Sequence, residues 1–394
     1  MIDIEGIQEE LKREKADGWL LVDYENKNPM VVSFLGRKML TRKILLYFPK
    51  SGKPSIVCHK IDSSFLSDEK TKKTFDLHIY YSWQEMLEIE KSLLKDAQTV
   101  LMDVSEFGLL PRISLADYGS VEYVKSLGKE VRSSGDLQER FTAVYSASSL
   151  ALQKEACAKA LLIKDEAFLK IKEDILSKGK SNEYEVQQFI VRRFKEEGMV
   201  FDDEPIVAVN SNASDPHYAP SKDRYSEIEE KDVVLIDMWA KMDKEDAVYA
   251  DITWMGYVGK SVPSDIQDRF NVLREAIETG FSFLSKELPL RRVEGYEVDK
   301  VVYDYIVSKG YKDGIIHRTG HNIAVDVSPH GPGVNIDNLE SHDTREILDG
   351  VTFSLEPGIY LSDYGMRSET DVYIDKRKPV YMAGHQLEVI PILK

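Results

Sequence analysis

Two pairs of short apolar segments in the C-terminal half of this 394-residue chain carry carboxylates where a half-buried strand ordinarily places an apolar side chain. VVLID ends at Asp237, and YADITWMGYV contains Asp251, 14 residues on; VTFSLEPGIYL contains Glu356, and GMRSETDVYI contains Glu369, 13 residues on. Side chains alternate across a strand, so Asp251 is expected to share a face with Thr253, and Glu369 with Arg367 and Asp371. A carboxylate buried in a sheet costs several kcal/mol unless a cation or a donor compensates it. One such acid is accounted for by a turn cap or a surface Lys or Arg. Four in two matched pairs, with His321 in RTGHNIA, point instead to a duplicated unit built around cations. Two divalent ions would neutralise the four carboxylates, with one imidazole as a further ligand. Oxygen-rich ligation of this kind suits Mn, Co, Fe or Zn. Two metals sharing a water lower its pKa towards neutrality and polarise a carbonyl, so the natural reaction is hydrolysis of an amide.

Composition narrows the setting of that site. Against 68 Asp+Glu stand 52 Lys+Arg, a formal charge of −16, and no basic block offsets it, so neither nucleic acid nor an anionic membrane is an expected partner. With 42% hydrophobic and 30% charged residues, the chain lies in the globular range and can bury a core without disulfides. Its two cysteines, Cys58 and Cys157, argue against a disulfide framework or a thiolate zinc site and fit a reducing compartment. The first twenty residues alternate charged and apolar positions at helical spacing and do not read as a signal peptide. No later apolar run is long enough to span a bilayer, and a cytoplasmic location is expected.

Two domains are expected, over residues 1–145 and 146–394. In the first, an initial helix, a strand at GWLLV, a hairpin of KILLYFP and PSIVCHK, a helix from Ser82 to Lys95 and a strand at TVLMDV predict a small α/β unit of parallel strands joined by helices. The second opens with a helix from Ser148 to about Ser177, closed by Gly179, and a further helix with Asn182 and Glu185 as a capping box. Strands follow at 206–210, 231–237 and 247–258, helices at 264–285 and 297–308, and strands at 351–360 and 366–375.

Five of the eight histidines lie between positions 217 and 342. His217 (SDPHYAPS) and His330 (SPHGPG) sit in loops, and His317 stands four residues before His321. Histidine titrates in the range that hydrolysis needs, so these three are candidates for proton transfer and substrate contact. Arg367 is suited to hold Glu369 in place.

These motifs, PHY at 216–218, VVLID, DIT at 251–253, HRTGH at 317–321, SLEPGIY at 354–360 and GMRSET at 365–370, resemble in their order the pita-bread metallopeptidases, the group of Xaa-Pro dipeptidase (prolidase), aminopeptidase P, methionine aminopeptidase and creatinase. The resemblance implies a creatinase-like N-terminal α/β domain followed by a duplicated αββ catalytic domain, α/β (α+β) in class. It implies two divalent ions per chain, Mn first, on Asp237, Asp251, His321, Glu356 and Glu369, with Glu369 bridging and Asp251 bidentate. Glu356 would be general base for a metal-bridging hydroxide; His217 would donate a proton or stabilise the intermediate; His317 and His330 would contact substrate; Arg367 and Thr253 would support the ligands. Two departures stand out. Ala324 replaces the family's Gly three residues after the ligand histidine, and the second histidine falls at 330, with Ser328 where the family places it.

By the same resemblance the substrate is an Xaa-Pro peptide, cleaved as a dipeptide or at the N-terminus of a longer chain. The large N-terminal domain is expected to narrow the cleft or, through a homodimer, to limit substrate length. Two alternatives stay open: hydrolysis of a small non-peptide amide, to which the altered loop is suited, and a metal-free creatinase-like or binding role.

Overall fold

A computed structural model describes residues 3–325 and 328–394, and the chain divides into two units, Met1–Phe141 and Thr142–Lys394. The first is built on a sheet of β1 (Gly18–Asp23), β2 (Ile44–Pro49), β3 (Ser55–His59), β4 (Asp76–Tyr80), β5 (Thr99–Met102) and β6 (Glu130–Ser133), in the spatial order β4-β3-β2-β1-β5-β6. The central strand GWLLVD is buried throughout, and its alternation divides two cores: Trp19 and Leu21 pack with Leu46 and Phe48, while Leu20 and Val22 pack with Leu45 and Val100. The expected hairpin of KILLYFP and PSIVCHK is present, with parallel strands around it, and the sheet is mixed. β1–β2 and β2–β3 are antiparallel, and β1–β5, β3–β4 and β5–β6 are parallel. The short KSGK connection allows only a hairpin, whereas helical crossovers, α1 (Ile4–Arg13) apart, join the parallel strands. One of these is α2 (Trp83–Leu93), whose cap Ser82 and Glu85 form a capping box.

The second unit shows the αββ duplication. Helix α3 (Ala147–Lys178) ends where Gly179 takes the left-handed conformation, and α4 (Glu183–Glu196) begins at Asn182, whose side chain accepts from the Glu185 N–H at 2.8 Å. Ala156, Ala160, Ile163 and Ala167 on α3 pack against Ile236, Met238 and Ile252 of a sheet made of β7 (Ile206–Val209), β8 (Val233–Met242) and β9 (Ala250–Tyr257). In the second half, α5 (Ser264–Glu287) and α6 (Gly295–Ser308) contribute Leu284 and Val298 to a core with Phe353, Leu355 and Val372. No helix among the described residues is long and apolar enough to cross a membrane. Cys58 and Cys157 are buried free thiols.

The two hairpins differ where it matters. β8 and β9 pair continuously, with Asp237 opposite Thr253 and Trp239 opposite Asp251, so all four side chains share one face. The second hairpin, expected as two unbroken strands over 351–360 and 366–375, is split. β10 (Thr352–Leu355) pairs with β13 (Thr370–Asp375), and β11 (Gly358–Tyr360) pairs with β12 (Gly365–Arg367). Glu356 and Glu369 lie in the two breaks, so strand alternation does not set the direction of Glu369. Pro357 supplies the physical reason, since it has no N–H to donate to a ladder. The freed backbone groups bond elsewhere: Glu356 N–H donates to Thr319 O at 2.7 Å and Glu369 N–H to Thr253 O at 3.2 Å. The break thereby ties the second hairpin to the HRTGH segment and to the first hairpin.

Candidate active site

The five expected ligands come from both halves of the second unit and line one cavity of about 920 Å³, together with His217, His317, His330, Arg367 and Trp239. Ligand atoms of Asp251, His321 and Glu369 lie within 4.8 Å of one another. Glu356 Oε1 and Asp251 Oδ2 each stand 3.5 Å from His321 Nε2. Asp237 reaches the group through Arg367, whose guanidinium donates to Asp237 Oδ2, to Thr253 Oγ1 at 3.2 Å and to the Tyr360 hydroxyl at 2.8 Å. Thr253 in turn donates to Glu369 Oε2 at 2.8 Å. Arg367 thus supports Asp237 directly, and Glu369 through Thr253.

The HRTGH segment owes its position to a buried acid on α6. Asp299 Oδ1 accepts from the Thr319 N–H at 3.0 Å and from the Thr319 hydroxyl. The following Gly320 is needed sterically, because a Cβ there would lie 1.9 Å from Ser354 O. His321 then accepts no freedom of tautomer: its Nδ1 stands 3.0 Å from Asn322 O, a carbonyl that can only accept, so Nδ1 carries the proton. Burial holds the imidazole below its ordinary pKa and therefore neutral. Its bare Nε2 lone pair consequently faces the oxygens of Asp251 and Glu356, an arrangement that repels unless a cation lies among the three.

The carboxylates show the same deficit. Burial, and then repulsion from Asp237 and other acids, pushes Asp251 well above the usual carboxylate range. Glu369 is raised by burial and by Asp251 and Glu356. Asp237 Oδ1 is buried with no hydrogen-bond partner. Hard oxygen donors, one neutral imidazole and an unspent lone pair on Asp237 fit divalent cations. Glu356 moves the other way: burial pushes it up, but His321, His317, Arg367 and His330 bring it below its ordinary value.

The histidines occupy different situations. His317 Nδ1 bonds Arg318 O at 2.7 Å, and its Nε2 lies 2.7 Å from the Tyr360 hydroxyl. Arginine can only donate, so Tyr360 accepts from Arg367 and gives its proton to His317 Nε2. Both ring nitrogens of His317 are therefore engaged within the protein. His217 is exposed on the cavity wall, in the loop after Asn210–Ser214. His330 is also exposed, its ring centroid 3.9 Å from that of His321. Tyr360, Ser354 and Asn322 were not singled out in the sequence. Tyr360 falls inside SLEPGIY, but its part depends on Arg367 and His317, which only the fold brings to it.

A family model, Metallopeptidase family M24, matches residues 154–376, more than half of the chain. The chain belongs to metallopeptidase family M24. Its pita-bread fold is that of solved family structures: dipeptidase PepE from Mycobacterium ulcerans superposes with a TM-score of 0.63 at 18% identity, over 98% of this chain and 96% of that one. An Xaa-Pro dipeptidase from Bacillus anthracis gives 0.55 at 22%, over 98% of each chain. Among curated M24 relatives, an Xaa-Pro dipeptidase from Lactobacillus helveticus is 30% identical over 193 residues, 48% of this chain and 47% of that protein. Two mycoplasmal relatives are spanned over 60% and 47% of their own lengths.

Proposed function

We propose that this M24 chain is a dinuclear metallopeptidase that cleaves the Xaa-Pro bond of a dipeptide or of the N-terminus of a longer peptide. The observation that carries the reading is the neutral His321 ring, which aims its Nε2 lone pair at Asp251 and Glu356, 3.5 Å from each. In this reading Asp237, Asp251, His321, Glu356 and Glu369 hold two divalent cations, Mn first and Co, Zn or Fe as alternatives. When bound, such a pair lowers the pKa of a water and polarises the scissile carbonyl.

The protein groups supply positioning and proton traffic. Glu356, which the positive charge of Arg367 helps keep ionised, takes the proton of the attacking water on a carboxylate oxygen. Ser354 steadies that carboxylate by donating to Oε1 at 3.1 Å. His217, exposed on the cavity wall, delivers a proton to the leaving nitrogen, and His330 contacts the substrate beside His321. Because its ring nitrogens are engaged, His317 acts through Tyr360, fixing the hydroxyl that accepts from Arg367. The preference for proline is supported by the Xaa-Pro dipeptidases among the relatives and structural neighbours.

Purified protein supplied with Mn or Co should hydrolyse Xaa-Pro dipeptides in a panel that also holds tripeptides and N-acyl amides. Turnover confined to the amides would remove the proline assignment. Full activity in Glu356→Gln would remove the assigned base.

A further inference from the structure

The segment between the metal-site histidine and His330 departs from the family pattern, yet His330 still stands against His321. We propose that Asn322 is the residue that places His330 in the cavity, and thereby sets substrate affinity. This deepens the peptidase reading above and rests on it for the role of His330.

Asn322 is fully buried; two of its polar groups hold the returning limb of the loop and a third anchors it to β10. Its backbone O accepts from the Gly331 N–H at 2.7 Å, the same carbonyl that fixes the Nδ1 proton of His321. Its Oδ1 accepts from the Gly333 N–H at 2.9 Å, and its Nδ2 donates to Thr352 O on β10 at 2.9 Å. An antiparallel bridge pairs Ile323 with His330, and the Ala324 N–H donates to Pro329 O at 2.8 Å. His330 is thus held between a bridge on one side and the clamped Gly331–Gly333 turn on the other. The fit has no slack. A Cβ on Gly331 would lie 2.0 Å from Asn322 Oδ1, and one on Gly333 would lie 2.7 Å from Asn322 Cγ. The position of residue 330 is therefore set by main-chain bonds from Asn322, Ile323 and Ala324 together with the Asn322 amide, which fixes the turn at Gly333. The ring of His330 stands against that of His321, at a centroid separation of 3.9 Å.

The test uses the full chain with Mn and an Xaa-Pro dipeptide, comparing wild type, Asn322→Ala, His330→Ala and the double variant. His330→Ala should raise KM about tenfold with little change in kcat, and Asn322→Ala should raise it in the same way, as a supporting residue does. The double variant should be no worse than His330→Ala, since two residues acting through one contact are not additive. Asn322→Asp keeps the acceptor for Gly333 but sets a buried carboxylate oxygen against Thr352 O, so it should not restore the wild-type KM. If Asn322→Ala does not fold, Gly331→Ala takes its place in the cycle. A wild-type KM in these variants, or losses that multiply in the double variant, would overturn the proposal. A second readout does not depend on turnover: with ring-labelled histidine, the His330 Hε1 NMR signal of the metal-free chain should lose the shift imposed by the neighbouring His321 ring in Asn322→Ala. An unmoved signal contradicts the placement by Asn322. A moved signal in a chain that cleaves no peptide retires the peptidase reading and leaves the placement standing.

Discussion

Both units bury carboxylates, and the way each treats them separates structure from function. In the first unit Asp103, 1% exposed, accepts from Ser134 Oγ and Gln138 Nε2 at 2.7 Å, from Trp19 Nε1 at 3.4 Å and, on its other oxygen, from Asn28 Nδ2 at 2.7 Å. Burial raises that carboxyl and the four donors pull it back. In the second unit Asp237, Asp251, Glu356 and Glu369 face one another with one arginine among them, Asp237 Oδ1 buried without a partner and an imidazole lone pair pointing inward. Burial of an acid is thus no sign of function by itself. Capacity left unspent after the protein's own donors are counted is the sign.

Breaking the second arrangement should cost the most. Glu356→Gln keeps the shape and removes the carboxylate proposed as base, and steady-state kinetics should show kcat lower by about 10²–10⁴-fold. Next in size is a buried acid of the first unit that lacks the satisfaction of Asp103. Glu90 is 3% exposed with Oε1 unpartnered, and burial pushes its carboxyl up to about 7. A raised folded-state pKa means that the native chain binds the proton more tightly than the unfolded one. The contribution of Glu90 is therefore full below its ordinary value of 4.5 and is lost as pH rises through about 7. By pH 7 the loss is on the order of 3 kcal/mol, so denaturant titration should find Glu90→Gln more stable than wild type at neutral pH and about equal to it near pH 4.

A third contrast concerns cations. Adding Mn to about a hundred times its Kd should stabilise the protein by about 2.7 kcal/mol, read as a rise in Tm that a chelator reverses. Asp103→Asn should leave that rise unchanged, whereas Glu369→Gln should shrink it. The smallest effect expected is that of Asp103→Asn on stability itself. Its amide turns a donor towards Asn28 or the other donors, at a cost of about 1–2 kcal/mol, measured by chemical denaturation.

Much of this was legible in the sequence because the signals were local. Gly179 ending α3 and Asn182 opening α4 need only their neighbours, and the alternation in YADITWMGYV sets Asp251 and Thr253 on one face without reference to anything distant. The split of the second hairpin at Glu356 and Glu369 was not read, although Pro357 marked one break. The backbone there bonds to Thr319 and Thr253, partners fixed by tertiary contact. In the first unit the KSGK connection made the β2–β3 hairpin legible, whereas the antiparallel pairing of β1 with β2 was not, since apolar runs do not record strand direction. The part of Tyr360 depends on the donor-only character of Arg367 and the tautomer of His317, which exist only once the three meet.

The central claim, that the acids of the second unit form a cation site, is tested most directly by equilibrium dialysis of the metal-free chain against Mn, followed by elemental analysis. We expect about two ions per wild-type chain, and fewer in Glu369→Gln, as a two-metal site requires. No bound Mn, Co, Zn or Fe in the folded wild-type chain would contradict it.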